Sequence, residues 1–260
     1  MLEAIDHPSR ADAALDGGRI RELKLARPPV NALHGELLGS LLAALQRAGK
    51  EAAAVVMTGQ PGLFSAGLDV RGMLQLDREA ITAFFIELWR LQYALASCPI
   101  PVIFGLTGHS PAGGTVLAIY GDYRVMALGD FRLGLNEVQV GLIPGPPIHG
   151  AFARLVGGHA AQLLTRGVLV DPATALRVGL VDELCDPSQV QARALEVARE
   201  YCALPREPML KTRKLVRADL LALFGKPGQE LMAEREFGRM GTEMWFAPTA
   251  QAVLKKLFVK

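Results

Sequence analysis

The chain has 260 residues and a formal charge of +2 at pH 7; half of its residues are hydrophobic and 21% are charged. This composition excludes a disordered chain, a coiled coil and a collagen-like fibre, and it is typical of a globular protein with a sizeable core. Because basic and acidic residues are interspersed along the chain, we expect no nucleic-acid partner. The three cysteines are far apart and form no CxxC pair, so they predict reduced thiols rather than a disulfide framework.

The sequence gives no sign of a targeting or membrane segment. Acidic residues within the first 21 positions argue against a signal peptide and against a transit peptide. Residues 98–121 carry no Asp, Glu, Lys or Arg, but prolines and glycines interrupt them, so a buried strand, a turn and a buried helix fit better than a membrane span. We therefore predict a cytoplasmic protein without a membrane partner.

Hydrophobic periodicity and turn residues predict alternating strands and helices over the first half of the chain. The first predicted elements are a hairpin turning at residues 16–18, a loop at 27–31, a helix at 33–48, a strand at 53–58 and a glycine-rich connection at 60–72. They are followed by a helix at 78–97, a strand at 101–107, a turn at 108–112, a helix at 113–120, a strand at 122–127, and a strand with a loop at 131–143.

The pattern becomes helical after residue 147. Asp171 is predicted to cap a helix whose first residue is Pro172, residues 186–188 to open another helix, and residues 225–228 to separate the last two helical segments. Strands that alternate with helices, followed by a helical last third, predict an α/β protein with an appended helical region.

Two segments of small residues could bring backbone N–H groups close to a ligand. Phe-Ser-Ala-Gly-Leu-Asp at residues 64–69 follows a predicted buried strand, and Gly-His-Ser-Pro-Ala-Gly-Gly-Thr at residues 108–115 joins a strand to a helix. Unpaired N–H groups at the start of a helix would stabilise a developing oxyanion. The alternative interpretations are an ordinary tight turn for the first segment and close helix–strand packing for the second.

The second segment also comes close to the G-x-S-x-G nucleophile elbow of α/β-hydrolases, with Ser110 as the nucleophile. In that elbow the N–H of the residue after the serine holds the oxyanion. That residue is Pro111, which has no N–H, and Ala112 replaces the second glycine. The chemistry therefore argues against a serine hydrolase.

A carboxylate in an apolar setting is the third candidate. Glu137 lies among valines, leucine and isoleucine, where burial would raise its pKa towards neutrality and suit it to proton transfer; the alternative is a solvated loop glutamate.

The histidines show no metal-ligand spacing, so no metal is predicted. Glycine fingerprints for nucleotides and dinucleotides are absent from the sequence as well.

In this order, the motifs resemble the crotonase (enoyl-CoA hydratase/isomerase) superfamily over roughly residues 15–186, and they look most like its Δ3,Δ2-enoyl-CoA isomerase branch. The matching blocks are RPPVNAL at 27–33, VVMTG at 55–59, LFSAGLDV at 63–70, SPAGG at 110–114, DYRV at 122–125, and GLNE at 134–137 with GLIP at 141–144.

The resemblance implies a spiral of ββα units with a helical C-terminal trimerisation region, which divides the chain into a core at residues 1–195 and a helical region at 196–260. It also implies an acyl-CoA thioester substrate, no separate cofactor, and a homotrimer or hexamer. The backbone N–H groups of Leu68 and Gly113 would hold the thioester oxygen, and Glu137 would be the catalytic acid and base. The implied substrate-binding residues are Ala66, Gly67, Asp69, Val70 and Asn136.

One departure from the superfamily pattern bears on the reaction. Typical hydratases carry a second glutamate three residues after the oxyanion glycine, and this sequence has Val116 there. Hydration requires one group that activates water and another that helps to protonate C2. Isomerisation of a 3-enoyl thioester, in contrast, can proceed with one carboxylate. We therefore predict an enoyl-CoA isomerase. The alternatives are a hydratase with an unrecognised second acid and a CoA-ester-binding protein without turnover.

Overall fold

The structure is a computed structural model that describes residues 1–9, 18–226 and 228–258. The strands are β1 (Leu2–Pro8), β2 (Arg19–Leu25), β3 (Ala54–Thr58), β4 (Gly62–Leu63), β5 (Val102–Leu106), β6 (Gly108–Pro111), β7 (Tyr123–Ala127), β8 (Leu133–Gly134) and β9 (Glu183–Cys185).

The helices in the first two thirds of the chain are α1 (Gly35–Glu51), α2 (Val70–Met73), α3 (Arg78–Ser97), α4 (Gly113–Ala118), α5 (Pro146–Val156), α6 (Ala160–Arg166) and α7 (Pro172–Arg177). The later helices are α8 (Val190–Ala203), α9 (Arg206–Val216), α10 (Ala218–Ala222), α11 (Glu230–Trp245) and α12 (Pro248–Phe258). Short 3-10 helices occupy Glu137–Val140 and Gly157–His159. None of the helices in the described part of the chain is long and apolar enough to cross a membrane.

Within the described residues the strands form two sheets. The larger has the order β1-β2-β3-β5-β7-β9, in which β1 and β2 are antiparallel and the other neighbours are parallel. The smaller has the order β4-β6-β8 and is parallel. Each of β3, β5 and β7 is followed along the chain by a strand of the smaller sheet and then by helix. This repetition is the predicted spiral of ββα units.

Both faces of the larger sheet are covered, which is why its central strands are buried along their whole length. On one face, α8 packs Val190, Ala194 and Ala198 against alternate strand residues such as Val56 and Ile103. The main core lies on the other face, where the leucines of α1 and the aromatic side chains of α3 meet the remaining strand residues. The predicted division at residue 195 falls within α8, and it stays a prediction.

The predicted elements are largely confirmed, and α3 has the predicted bounds. The antiparallel β1 and β2 match the predicted hairpin, although Asp16 and Gly17 of its turn lie outside the described residues. Asp171 accepts a hydrogen bond from the N–H of Thr174, as expected of the cap of α7. The cysteines are free thiols.

Four local predictions were wrong. The turn at residues 108–112 is strand β6, whose partners are strands of only two residues that carry no alternating pattern. The strand β9 interrupts the region predicted to be helical, and its three residues are also too few for a pattern. The helix after Asp186 begins only at Val190, because Asp186 binds the N–H of Ser188 in a separate turn. Finally, α12 follows α11 directly, so residues 225–228 separate α10 from α11.

Helix α11 packs closely against α3. A methyl group added to Gly241 would lie 2.5 Å from the ring of Phe85, and one added to Gly238 would lie 2.7 Å from Ile86. Only glycine permits this approach of the two helices. Arg90 also binds Glu234 through two hydrogen bonds of 3.1 and 2.8 Å. The C-terminal region is thereby fixed over the core, next to the candidate site.

Candidate active site

The smaller sheet aligns the three motifs that the sequence singled out. Gly62 of β4 pairs with Gly108 of β6, and Pro111 of β6 pairs with Gly134 of β8. A methyl group on Gly108 would lie 2.0 Å from the carbonyl carbon of Gly62, so only glycine allows β4 and β6 to pair here. Each short strand leads within a few residues to one candidate: β4 to Leu68, β6 to Gly113 and β8 to Glu137.

The loop that carries Leu68 is held by the preceding loop at residues 27–33. Asn31 has a left-handed backbone (φ 48°), and its side-chain amide donates to the carbonyls of Leu25 and Phe64. Ser65 donates to the carbonyl of Asn31 and accepts from the N–H of Gly67. These fully buried contacts fix the direction of the chain just before Leu68.

The two candidate amides lie on loops that touch each other. Gly67 has φ +89°, and a methyl group on it would lie 3.2 Å from the backbone nitrogen of Gly113. Ala112 also has a positive φ (47°), a strained conformation for a residue with a side chain, which turns the chain into α4 at Gly113. Neither the Leu68 N–H nor the Gly113 N–H donates a hydrogen bond to any described residue. Both donors are available to a ligand.

Glu137 begins the 3-10 helix that follows β8, and its carbonyl accepts a hydrogen bond from the N–H of Leu142. Its Oε2 atom is buried and has no hydrogen-bond partner among the described residues. Burial raises the pKa of the Glu137 carboxyl from 4.5 to about 7, and a backbone hydrogen bond opposes the shift only in part. A carboxyl group with this pKa exists in both protonation states near neutral pH and can therefore both accept and release a proton.

Leu68, Gly113 and Glu137 line one cavity of about 470 Å³, with Val116 in the same wall. The rest of the wall is mainly apolar and comes from α3, α5, α11 and the segment between Glu137 and α5. The apolar wall residues are Phe85, Leu88, Leu142, Ile143, Pro144, Pro146, Ile148, Phe237, Met240 and Met244. Such a wall suits a hydrocarbon chain.

None of the predicted substrate-binding residues lines this cavity. Gly67 is buried, Ala66 is exposed, and Val70 and Asn136 are half-buried. The carboxylate of Asp69 accepts from the N–H of Gly72 as the cap of α2 and pairs with Arg27 at 2.9 Å. The contribution of these five residues to substrate binding stays a prediction.

The geometry also bears on the other sequence-based interpretations. The Ser110 side chain is completely buried in β6, and its Oγ has no hydrogen-bond partner among the described residues. A nucleophile elbow needs an exposed serine Oγ beside a base, so the hydrolase interpretation fails. In the described part of the chain, no group of three or more His, Cys, Asp or Glu side chains is placed to hold a metal ion.

Three parts of the cavity wall were not predicted from the sequence: the residues of α11, Phe85 and Leu88 of α3, and His149 of α5. Gly238 and Gly241, one helical turn apart, could have indicated that α11 is tightly packed against another helix. They do not indicate which helix. His149 had no sequence partner at a recognisable spacing, so nothing in the sequence distinguished it from the other histidines.

The ββα spiral, with two free amides and a buried carboxylate at one cavity, defines an α/β protein of the crotonase fold. The family model for enoyl-CoA hydratase/isomerase matches residues 17–223. The chain is 32% identical to human mitochondrial enoyl-CoA delta isomerase 1 over 206 residues. This aligned region covers 77% of this chain and 68% of that protein. The chain therefore belongs to the enoyl-CoA hydratase/isomerase family.

One further relative carries a hydratase name, and one similar solved structure carries an isomerase name. A protein of Mycolicibacterium paratuberculosis named "Probable enoyl-CoA hydratase echA17" is 30% identical over 230 residues, which cover 87% of each chain. The crystal structure of human mitochondrial delta3-delta2-enoyl-CoA isomerase superposes with a TM-score of 0.87 at 26% identity, covering 98% of this chain and 96% of that one. Family and site together support an enoyl-CoA hydratase or isomerase activity.

Proposed function

We propose that this protein is an enoyl-CoA isomerase that shifts a 3-enoyl thioester to the 2-enoyl thioester. The N–H groups of Leu68 and Gly113 hold the thioester oxygen, and Glu137 removes a proton from C2 to form the enolate. The protonated Glu137 then delivers the proton to C4, the double bond moves to C2–C3, and the carboxylate is regenerated. Each turnover needs one proton-carrying group and no water.

The observation that carries this proposal is the unpaired, buried Oε2 of Glu137 at the cavity that both free amides line. Glu243 lines the same cavity, but it is held by Arg239 at 2.6 Å and is 55% exposed. The carboxylate of Glu243 is thus engaged by a guanidinium and by solvent, whereas Oε2 of Glu137 has no hydrogen-bond partner among the described residues. Glu137 is therefore the better candidate for abstraction of the C2 proton, which also favours turnover over mere binding of CoA esters.

Val116 supports isomerisation over hydration. It lies in the cavity wall with 3% of its surface exposed, at the position where typical hydratases of the superfamily carry their second glutamate. Without a carboxylate there, water lacks the second group that hydration asks for. The relative named as a hydratase makes hydration the second candidate function, so the two reactions must be compared directly.

Purified protein is given 3-hexenoyl-CoA and, separately, 2-hexenoyl-CoA in water. We expect conversion of the first substrate to the conjugated thioester, with hydration of the second much slower. Rapid hydration of 2-hexenoyl-CoA without a double-bond shift in 3-hexenoyl-CoA would overturn the proposal. Glu137→Gln is expected to lower isomerisation at least about a hundredfold while binding of a saturated acyl-CoA is retained. Glu236→Gln, on the exposed side of α11, is the matched control and should leave turnover unchanged.

The remaining expectations from the superfamily belong to this proposal: a homotrimer or hexamer, no cofactor beyond the CoA of the substrate, and a cytoplasmic location. Size-exclusion chromatography with light scattering on the full chain tests the assembly, and a monomer at micromolar concentration would contradict it.

A further inference from the structure

The acyl cavity contains an imidazole that the proposed reaction does not use. His149 lies in the first turns of α5, is half-buried, and lines the same cavity as Glu137. Its Nδ1 lies 2.8 Å from the carbonyl oxygen of Pro144. Because a carbonyl oxygen only accepts hydrogen bonds, Nδ1 must carry a proton and the ring orientation is fixed.

This contact determines what the other ring nitrogen can do. In the neutral ring, Nε2 is then an acceptor, and it has no hydrogen-bond partner among the described residues. The surrounding wall is formed mainly by side chains such as Ile148, Phe237 and Met240, which offer no donor. A plain hydrocarbon chain that displaced water from this cavity would leave Nε2 unpaired, and an unpaired buried acceptor weakens binding.

The charges in the cavity wall narrow the choice of ligand further. Glu137 and Glu243 both contribute to the wall, and no Lys or Arg lines it within the described residues. An acyl chain that ends in a carboxylate would therefore find no cationic side chain in the wall to pair with. A neutral hydrogen-bond donor such as a hydroxyl group would instead satisfy Nε2 without adding charge.

We propose that His149 selects acyl-CoA thioesters whose acyl chain carries a hydroxyl group beyond C3. This inference rests on the proposed function in that it takes the cavity as the acyl site. It makes His149 a specificity-determining residue: the hydroxyl donates to Nε2, the Pro144 carbonyl holds the opposite ring nitrogen, and the apolar wall packs against the methylene groups.

Binding of unreactive thioesters tests the inference without requiring turnover. Isothermal titration calorimetry at about pH 8 compares hexanoyl-CoA with its 4-, 5- and 6-hydroxy derivatives. We expect at least one derivative to bind the wild-type protein about three- to tenfold more tightly than hexanoyl-CoA, as one added hydrogen bond implies. The 3-hydroxy isomer is left out because it is the product of hydration.

Three variants separate the role of His149 from general damage to the cavity. His149→Phe should lose the preference and bind hexanoyl-CoA at least as tightly as the wild type, while His149→Gln, which keeps an acceptor, should retain part of the preference. His159→Phe, a change at an exposed histidine outside the cavity, should behave as wild type. Equal affinities for all four thioesters, or a preference that survives in His149→Phe, would overturn the inference. Failure of the isomerase assay with this preference intact would count against the reaction alone.

Discussion

The side-chain hydroxyl of Thr115 accepts a 2.8 Å hydrogen bond from the backbone N–H of Gly134, three residues before Glu137. The same hydroxyl donates to the carbonyl of Ser110 over 2.5 Å. Thr115 is fully buried in α4, so one side chain joins the turn that carries the Gly113 amide to the strand that leads to the proposed base. The hydrogen bonds of the Thr115 hydroxyl therefore fix the turn at Gly113 relative to the strand that precedes Glu137.

Thr115→Val keeps the shape of this side chain but removes both hydrogen bonds. The buried N–H of Gly134 would lose its partner, so we expect the free energy of unfolding to fall by about 1–3 kcal/mol. We also expect kcat for isomerisation to fall more than KM changes, because Thr115 positions Glu137 without touching substrate. Urea denaturation and steady-state kinetics measure the two effects. Thr115→Ser, which keeps the hydroxyl, should restore most of both; an equal loss of kcat in the two variants would contradict the positioning role.

Gly67→Ala tests the approach of the two amide-bearing loops. The added methyl group would lie 3.2 Å from the nitrogen of Gly113 at a residue whose φ is +89°, so both the backbone and the amide pair must shift. Gly62→Ala is a matched control, since Gly62 has a similar φ of +82° but a methyl group added to it would meet no other atom within 4 Å. Both variants should be destabilised by about 1–2 kcal/mol, and only Gly67→Ala should lose isomerisation, by at least about tenfold. Comparable activity in the two folded variants would show that the contact between the loops is dispensable.

Val116→Glu places a carboxyl group where typical hydratases of the superfamily have one. If the wild-type protein hydrates 2-hexenoyl-CoA slowly because it lacks this carboxyl group, the rate of hydration should rise measurably in Val116→Glu. Val116→Gln, which adds no carboxyl group, should not show the gain. Burial of a carboxyl group in this wall is costly, so circular dichroism first establishes that the variant folds. A folded Val116→Glu protein without any gain in hydration would contradict this explanation.

Glu137 should also make stability depend on pH. Burial raises the pKa of its carboxyl from 4.5 to about 7, so between these values the folded state binds more protons than the unfolded state. The contribution of Glu137 to stability is therefore fully present below pH 4.5, declines as pH rises to about 7, and is absent above. Glu137→Gln should match the wild type near pH 5 and exceed its stability at pH 8 by up to about 3 kcal/mol in urea denaturation. Parallel stability curves for the two proteins would show that the carboxyl is not buried as described.

The sequence predicted the centre of the site better than its walls. The two segments of small residues and Glu137 could be singled out from local chemistry without knowing the fold, whereas the choice of the Leu68 and Gly113 amides followed from the resemblance to the superfamily. The wall around them depends on contacts between distant parts of the chain, such as Phe85 with Gly241. Helical periodicity indicates which face of a helix is buried, but it does not identify the partner of that face. Two strands of the smaller sheet, β4 and β8, have only two residues each, which is too few for an alternating pattern to appear.

The dependence of kcat/KM on pH for 3-hexenoyl-CoA tests most directly whether Glu137 alone carries the proton, because kcat/KM reports the ionisations of the free enzyme. We expect kcat/KM to rise through a single ionisation near pH 7, where the pKa of the Glu137 carboxyl lies, and to stay level up to about pH 9. Two results would contradict a single carboxylate that acts as base and acid. One is a bell-shaped profile whose decrease at high pH does not come from an ionisation of the free substrate. The other is a profile without an ionisation near pH 7.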